Sequence, residues 1–343
     1  MHVLVTGATG FVGGRLAPAL LEGGHEVTVL VRDATEYDAP AGVRVIEGDL
    51  LAPESLPPAF AVDGDPVDAA YYLVHSMEGG PGYAARDRDC ARHFAAAASA
   101  AGVPRVVYLG GLGEDRDELS EHLRSRREVE RLLAEGTYAL TTLRAAIVIG
   151  AGSASFEVIR GLATRLPVMI TPKWVDTRCQ PIAVGDVVAY LVGVLDEPAT
   201  AGETFEIGGP EVLTYAEILR RTRRQLGQQL RIVRVPVLSP RLSAMWLRLV
   251  TDVDPFLARS LVEGMRNPVV VEDTRIREYV PIDGTPFDLA VARALDESRP
   301  AGDEPYRIGV TNERADGSGG SVDAADSDLA NSDGSPNGMG SSR

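Results

Sequence analysis

The sequence predicts an α/β fold, a doubly wound parallel sheet with a smaller C-terminal lobe, and three features carry that expectation. Apolar strand signals alternate with helical ones through the first half of the 343-residue chain. The first strand runs into a turn punctuated by glycines, Val3-Leu4-Val5-Thr6-Gly7-Ala8-Thr9-Gly10-Phe11-Val12-Gly13-Gly14, and then into an amphipathic helix. Short apolar runs such as Tyr71 to Val74 lack polar alternation, which suits strands covered on both faces.

Taken in order, the strands after the first fall at 25–32, 43–47, 68–74, 105–109 and 139–144. Between them lie helical stretches, the clearest being the alanine-rich segment from Tyr83 to Ala101, stopped by Gly102 and Pro104. Residues 1–150 thus read as a Rossmann-type domain, with a segment at about 180–208 returning to it: a helix from Asp186 and a strand at 203–207. Residues 151–300 read as a substrate lobe, since insertions on the carboxyl side of a parallel sheet stand over the crevice where ligands sit. Its helical region is expected at 214–264. The cluster Met245, Trp246, Leu247, Leu249 and Val250 within it reads as internal packing, because its flanks are acidic where a membrane-surface helix would be basic. From about residue 301 to 343 the chain turns into Asp, Ser, Gly and Asn without apolar periodicity, and a disordered acidic tail is expected.

The glycine-rich turn reads as a dinucleotide cradle. Gly7 permits the tight turn, Gly10 lets the backbone approach a pyrophosphate with no Cβ in the way, and Gly13 lets the helix pack close to the strand. Ala8, Thr9, Phe11 and Val12 complete the loop, and the helix that follows aims free N–H groups and its positive end at the phosphates. An ordinary βα turn is the plainer reading; the position of the motif between strand and helix favours the cradle.

Composition narrows the partners. The formal net charge is −15, from 49 acidic against 34 basic residues, with Lys173 the single lysine, so no basic face is available to nucleic acid. This balance suits a protein kept soluble in concentrated salt, a halophilic source, although genomic base composition accounts equally for arginine in place of lysine. There is no transmembrane run and no signal-peptide pattern, which points to the cytoplasm. Cys90 and Cys179 lack metal-ligand spacing, and no metal is expected.

The opening Thr6-Gly7-Ala8-Thr9-Gly10-Phe11-Val12-Gly13 resembles the glycine motif of extended and atypical short-chain dehydrogenases/reductases. Tyr72-Leu73-Val74-His75-Ser76-Met77, Tyr108-Leu109-Gly110-Gly111-Leu112-Gly113, Leu143-Arg144-Ala145, Gly152-Ser153-Ala154-Ser155-Phe156-Glu157 and Gln180-Pro181-Ile182-Ala183 are similar to an atypical branch. That branch holds bacterial NAD(P)H-binding and NmrA-like proteins and lies near the nucleotide-binding accessory subunit of respiratory complex I. The resemblance covers roughly residues 1–295. It implies an NAD(P)H cofactor and, in catalytic members, a Tyr-x-x-x-Lys pair with a strand-end serine. Here His122 and Arg126 stand where Tyr and Lys would be, and Gly110 and Gly111 where the serine would be.

Those departures define the catalytic candidates. His122 and Arg126 share one helix face; the imidazole can donate a proton near neutral pH, while the guanidinium stays charged and can hold a ribose hydroxyl or phosphate. The plainer alternative is that His122 only caps or solvates its helix. His75 and Ser76, after the fourth strand, are the second candidates, with packing of His75 against the cofactor ribose as the alternative. Arg32, at the end of the second strand, can pair with a 2′-phosphate, whereas Asp33 would hold a ribose 2′-hydroxyl; Arg32 is in the better register, which favours NADP and leaves NAD as the alternative. Asp49 and Leu50 resemble the family's Gly-Asp-Leu near the adenine, and Val74 is expected at the cofactor's edge.

The expected function is NAD(P)H binding with reduction of a small carbonyl, enone or quinone substrate. A non-catalytic redox-sensing or assembly module, peripheral to a membrane or to a respiratory complex, is the alternative. A sugar-nucleotide epimerase or dehydratase is third. The sequence leaves the substrate and the oligomeric state open.

Overall fold

Seven short strands form one wholly parallel sheet: β1 (His2–Thr6), β2 (Glu26–Val31), β3 (Arg44–Glu47), β4 (Ala69–Tyr72), β5 (Arg105–Gly111), β6 (Ala139–Ala145) and β7 (Thr204–Ile207). The computed structural model describes residues 1–62, 64–75, 82–113, 121–165, 168–171, 173–234, 264–265 and 267–298, without the side chains of residues 121, 122, 170, 173, 174 and 234. The expected acidic tail and the apolar cluster around Trp246 lie outside the described residues.

The strands run in the order β7-β6-β5-β4-β1-β2-β3. Every neighbouring pair is parallel. The order reverses between β1 and β4, so a crevice opens beyond their carboxyl ends, where open α/β sheets bind ligands. Thr6 pairs with Tyr72 there, and the Thr6 hydroxyl donates to the Tyr71 carbonyl at 2.9 Å.

Side-chain alternation explains the two covered faces. Val3, Val5, Val29, Tyr71, Val107 and Phe205 point to one side, against α1 (Gly13–Glu22) and α5, the fifth α-helix among the described residues (Val184–Asp196). Leu4, Leu30, Tyr72, Val106 and Tyr108 point to the other, against α2 (Tyr83–Ala101) and α3 (Glu121–Leu133). These strands are buried on both faces, which is why they read as apolar runs. Gly102, at φ +76°, closes α2 by accepting the left-handed conformation that glycine tolerates.

A separate apolar cluster gathers α4 (Ala154–Arg165), α6 (Tyr215–Gln225) and α7 (Phe287–Glu297) around Phe156, Ile159, Ile218, Leu219 and Val291. It holds an element the sequence does not announce. Val168–Thr171 pairs parallel with Arg231–Arg234, and the second of these strands falls within the region read as helical. Gln180 joins segments of this part: its side-chain amide donates to the Gly209 carbonyl at 2.7 Å and accepts from the Val271 N–H at 3.0 Å.

Candidate functional site

The glycine turn is closed on itself and against β4. Gly7 has φ +78°, and a Cβ there would lie 2.8 Å from the Leu73 carbonyl carbon and oxygen. A Cβ on Gly13 would stand 2.2 Å from the Gly7 oxygen. Gly10 is different: it donates its N–H to the Gly7 carbonyl at 3.0 Å, and the single neighbour its Cβ would meet is that same oxygen, at 3.2 Å. Gly7 and Gly13 therefore shape the turn, and Gly10 keeps its outer surface bare. No acidic residue stands in the first turn of α1 and no side chain caps it, so no carboxylate of the helix itself offsets its positive end. Arg15 fixes the turn from behind, donating to the carbonyls of Phe11 at 2.9 Å and Ala151 at 3.0 Å.

Two cavities meet at this turn. One, of about 530 Å³, is lined by Thr9, Arg32, Asp49, Leu50, Val74 and Arg86. The other, of about 410 Å³, is lined by Phe11, Val12, Gly13, Gly111 and Arg126. Gly7, Gly10, Leu73 and His75 line both. The residues expected to bind a cofactor are thus brought together, with one exception. Ala8 is buried in the core beneath the turn and lines neither cavity.

In the larger cavity, Arg32 is exposed. The Asp33 carboxylate instead accepts from the Thr35 N–H at 2.8 Å and hydroxyl at 2.6 Å. Those hydrogen bonds hold it below the usual carboxylate range. Asp49 is fixed by its own turn: Ser55 Oγ accepts its N–H at 2.9 Å, and its carboxylate accepts from the Leu51 N–H at 2.9 Å. Cys90 also lines this cavity, but burial, followed by the charge of Asp87, pushes its thiol up to about 11.

His75 is held by a partner that the sequence reading missed. Its Nδ1 lies 2.9 Å from Oδ2 of Asp87, whose side chain is 2% exposed against 22% for His75. The signal was available: Tyr83, Asp87, Cys90, Ala91, Phe94 and Ala98 form the buried stripe of α2, and a carboxylate in an apolar stripe needs a partner. Ser76 lies outside the described residues.

At the end of β5, Arg126 both lines the smaller cavity and donates to the Leu109 carbonyl at 2.6 Å. Arg127 donates to the Gly113 carbonyl, and Glu130 ties it to Arg144, at 3.3 Å and 2.6 Å respectively. Two arginines thus clamp the glycine-rich strand end. His122 lies on α3, but its side chain is outside the described residues. A Cβ on Gly111 would meet Leu123 Cδ2 at 3.0 Å and one on Gly110 the Tyr108 ring at 3.1 Å, so the strand end is packed around the absence of side chains there.

The remaining walls of the smaller cavity are mostly apolar, with Leu109, Ile147, Val148, Met265 and Val269 among them. Ser153 donates its hydroxyl to the Val148 carbonyl at 2.7 Å. Tyr215 also lines this cavity; burial, then the neighbouring Cys179, raises its phenol well above the ordinary value. No described helix is long and apolar enough to cross a membrane.

Residues 7–148 match the family model described as NAD(P)H-binding. Residues 7–148 therefore carry an NAD(P)H-binding domain. A ceramide reductase of Caulobacter vibrioides is 29% identical over 301 residues, 85% of this chain and 88% of that protein. Subunit 9 of the NADH dehydrogenase (ubiquinone) 1 alpha subcomplex of Arabidopsis thaliana is 26% identical over 245 residues, 68% of this chain and 60% of that one. Among solved structures, the NADPH-dependent quinone oxidoreductase of Escherichia coli complexed with NADPH aligns with a TM-score of 0.70 at 21% identity, over 85% of this chain and 99% of the other. That likeness shows the fold. The NAD(P)H-binding domain together with reductase-named relatives supports an oxidoreductase.

Proposed function

We propose that this NAD(P)H-binding protein is an NADPH-dependent reductase of a small, largely apolar carbonyl, enone or quinone substrate. The observation that carries the reading is the meeting of two unlike cavities at Gly7 and Gly10, one bearing Arg32 and Asp49 and the other mostly apolar. Those residues fit the cofactor: the bare Gly10 surface and the N-terminus of α1 suit a pyrophosphate, Asp49 and Leu50 the adenosine, and Arg32 a 2′-phosphate. Asp33, already engaged by Thr35, leaves that role to Arg32. Bound NADPH would supply the hydride. Arg126 would hold a ribose hydroxyl or phosphate with the donors it does not spend on Leu109, and His122 stays a proton-donor candidate on the same helix. The cluster built from α4, α6 and α7 would serve as the substrate lobe.

Two other readings compete. A non-catalytic NAD(P)H-binding module is favoured by the strand end at Gly110 and Gly111, which has no serine, and by the likeness to a complex I subunit. A sugar-nucleotide epimerase shares the fold, but a nucleotide diphosphate calls for several cationic contacts, and Arg126 is the one arginine or lysine among the described residues lining the smaller cavity. Calorimetric titration with NADPH and NADH, followed by a screen of carbonyls, enones and quinones for NADPH oxidation, separates them. Oxidation supports the reductase; tight binding without oxidation supports the module.

A further inference from the structure

We propose that the Ser155 hydroxyl binds the reacting oxygen of the substrate, a single carbonyl on an otherwise apolar body; this rests on the reductase reading. At the end of β5, where a serine would hold the substrate, the chain has Gly110 and Gly111. A carbonyl in the smaller cavity therefore needs a donor from another element.

The first turn of α4 supplies one. Ser155 lines the smaller cavity together with Gly10 and Gly111. It stands three, four and seven positions before Val158, Ile159 and Leu162, all buried. Residues so spaced share one helix face, so Ser155 heads the inward stripe of α4 at the end that meets the cavity. It is half-buried, and its hydroxyl has no hydrogen-bond partner among the described residues.

The loop before Ser155 is tied to the cofactor turn. Arg15 donates to the carbonyls of Phe11 at 2.9 Å and Ala151 at 3.0 Å, and its guanidinium lies 4.7 Å from the centre of the Phe11 ring. A Cβ on Gly150 would stand 2.8 Å from that same ring, so the loop rests on it. Gly152, at φ +83°, then turns the chain into α4. A substrate held by Ser155 is thus kept in register with the turn that holds the cofactor, as hydride transfer requires.

The other polar groups of this cavity are engaged. Ser153 spends its hydroxyl on the Val148 carbonyl at 2.7 Å, and the buried Tyr215 phenol is hydrogen-bonded with the Cys179 thiol. His75 is turned to Asp87, and its Nε2 is buried. Arg126 donates to the Leu109 carbonyl at 2.6 Å and belongs to the cofactor in the reading above. One hydroxyl among apolar walls suits one carbonyl oxygen; a polyhydroxylated substrate would bury polar groups without partners. As hydride reaches the substrate carbon, charge gathers on the oxygen and the hydrogen bond from Ser155 strengthens, which favours the transition state over the bound substrate. Ser155 keeps its own proton throughout.

The test uses acetophenone, cyclohexenone and benzoquinone. Ser155→Ala is expected to turn over whichever of these the wild type reduces ~10²–10³-fold more slowly, the usual effect of removing one such donor. Its NADPH affinity by calorimetry and its melting temperature should be unchanged, and Ser155→Thr, which restores a hydroxyl, should recover most of the rate. Infrared spectra of that substrate, ¹³C-labelled at the carbonyl and bound together with NADP⁺, read the contact without turnover. The C=O stretch should lie below its position in an apolar solvent, and Ser155→Ala should return it towards that position. Should Ser155→Ala not fold, Ser155→Cys, with only a weak S–H donor, is read in the same way. Parental turnover in Ser155→Ala, or a carbonyl band that the substitution leaves unmoved, would overturn the contact alone. A wild-type chain that binds NADPH and reduces none of the three would overturn the reductase reading, and the contact with it.

Discussion

The Gly7 carbonyl and Gly13 touch so closely that a Cβ on Gly13 would stand 2.2 Å from that oxygen. The start of α1 is therefore seated directly beneath the turn it follows. Gly10, three residues earlier, faces outward and has a single close neighbour.

This separates two substitutions in one motif. Gly13→Ala forces backbone to shift and is expected to lower the melting temperature by several degrees, with about 1 kcal/mol corresponding to roughly 2–4 °C in a domain of this size class. Gly10→Asp is expected to fold normally and lose dinucleotide affinity, because it sets a side chain and a negative charge against the pyrophosphate. Thermal melts and calorimetry on both variants check the pair; normal affinity in Gly10→Asp would contradict the placement.

Arg32→Ala should weaken NADPH far more than NADH, by about 2 kcal/mol for a lost charge-assisted contact. Asp33→Ala should leave that discrimination unchanged, since its carboxylate is turned to Thr35. Parallel titrations with both cofactors measure this, and equal losses in Arg32→Ala would place the discrimination elsewhere.

Glu130 binds two arginines and is 14% exposed. Glu130→Ala removes the carboxylate that ties Arg127 to Arg144 and is expected to cost about 3–5 kcal/mol, measurable by denaturant unfolding. A loss under about 1 kcal/mol would mark the cluster as no more than a surface pair.

The sheet was legible because its central strands, such as β1, β4 and β5, are buried on both faces and so read as apolar runs. Predicted 139–144 and 105–109 differ from observed β6 and β5 by only one or two residues at the ends. The α2 helix was legible from its alanines and from Gly102. The parallel pair of Val168–Thr171 with Arg231–Arg234 was not, because its partners are far apart in sequence and the second was absorbed into a helical reading. At the site, the glycine turn, Arg32 and Asp49 could be read from local motifs. Ala8 could not be told from its neighbours until its burial was seen. Asp87 was missed although it stands in the helix read most clearly, because the alanine-rich pattern drew attention to packing. Tyr215 and Met265 reach the smaller cavity only through the arrangement of the C-terminal cluster.

The acid limb of stability should depend on Glu211. Burial alone would raise its carboxyl, but hydrogen bonds from Arg221 and the Phe287 N–H, together with the Arg221 charge, bring it below the ordinary value. A depressed folded pKa gives stability that is present above the unfolded pKa and lost as pH falls through the folded one. Glu211→Gln should therefore flatten the decline of stability between the ordinary glutamate range and more acid pH. Melting temperatures of both proteins across that range check it; parallel curves would show that the ion pair contributes nothing.

The central claim is that the chain uses NADPH to reduce a small apolar substrate. The most direct measurement follows the loss of reduced nicotinamide absorbance when wild-type protein is mixed with NADPH or NADH and each member of a carbonyl, enone and quinone panel. The account predicts saturable, substrate-dependent oxidation that is faster with NADPH at limiting cofactor. Binding of NADPH with no oxidation across the panel would contradict it and leave a binding module in its place.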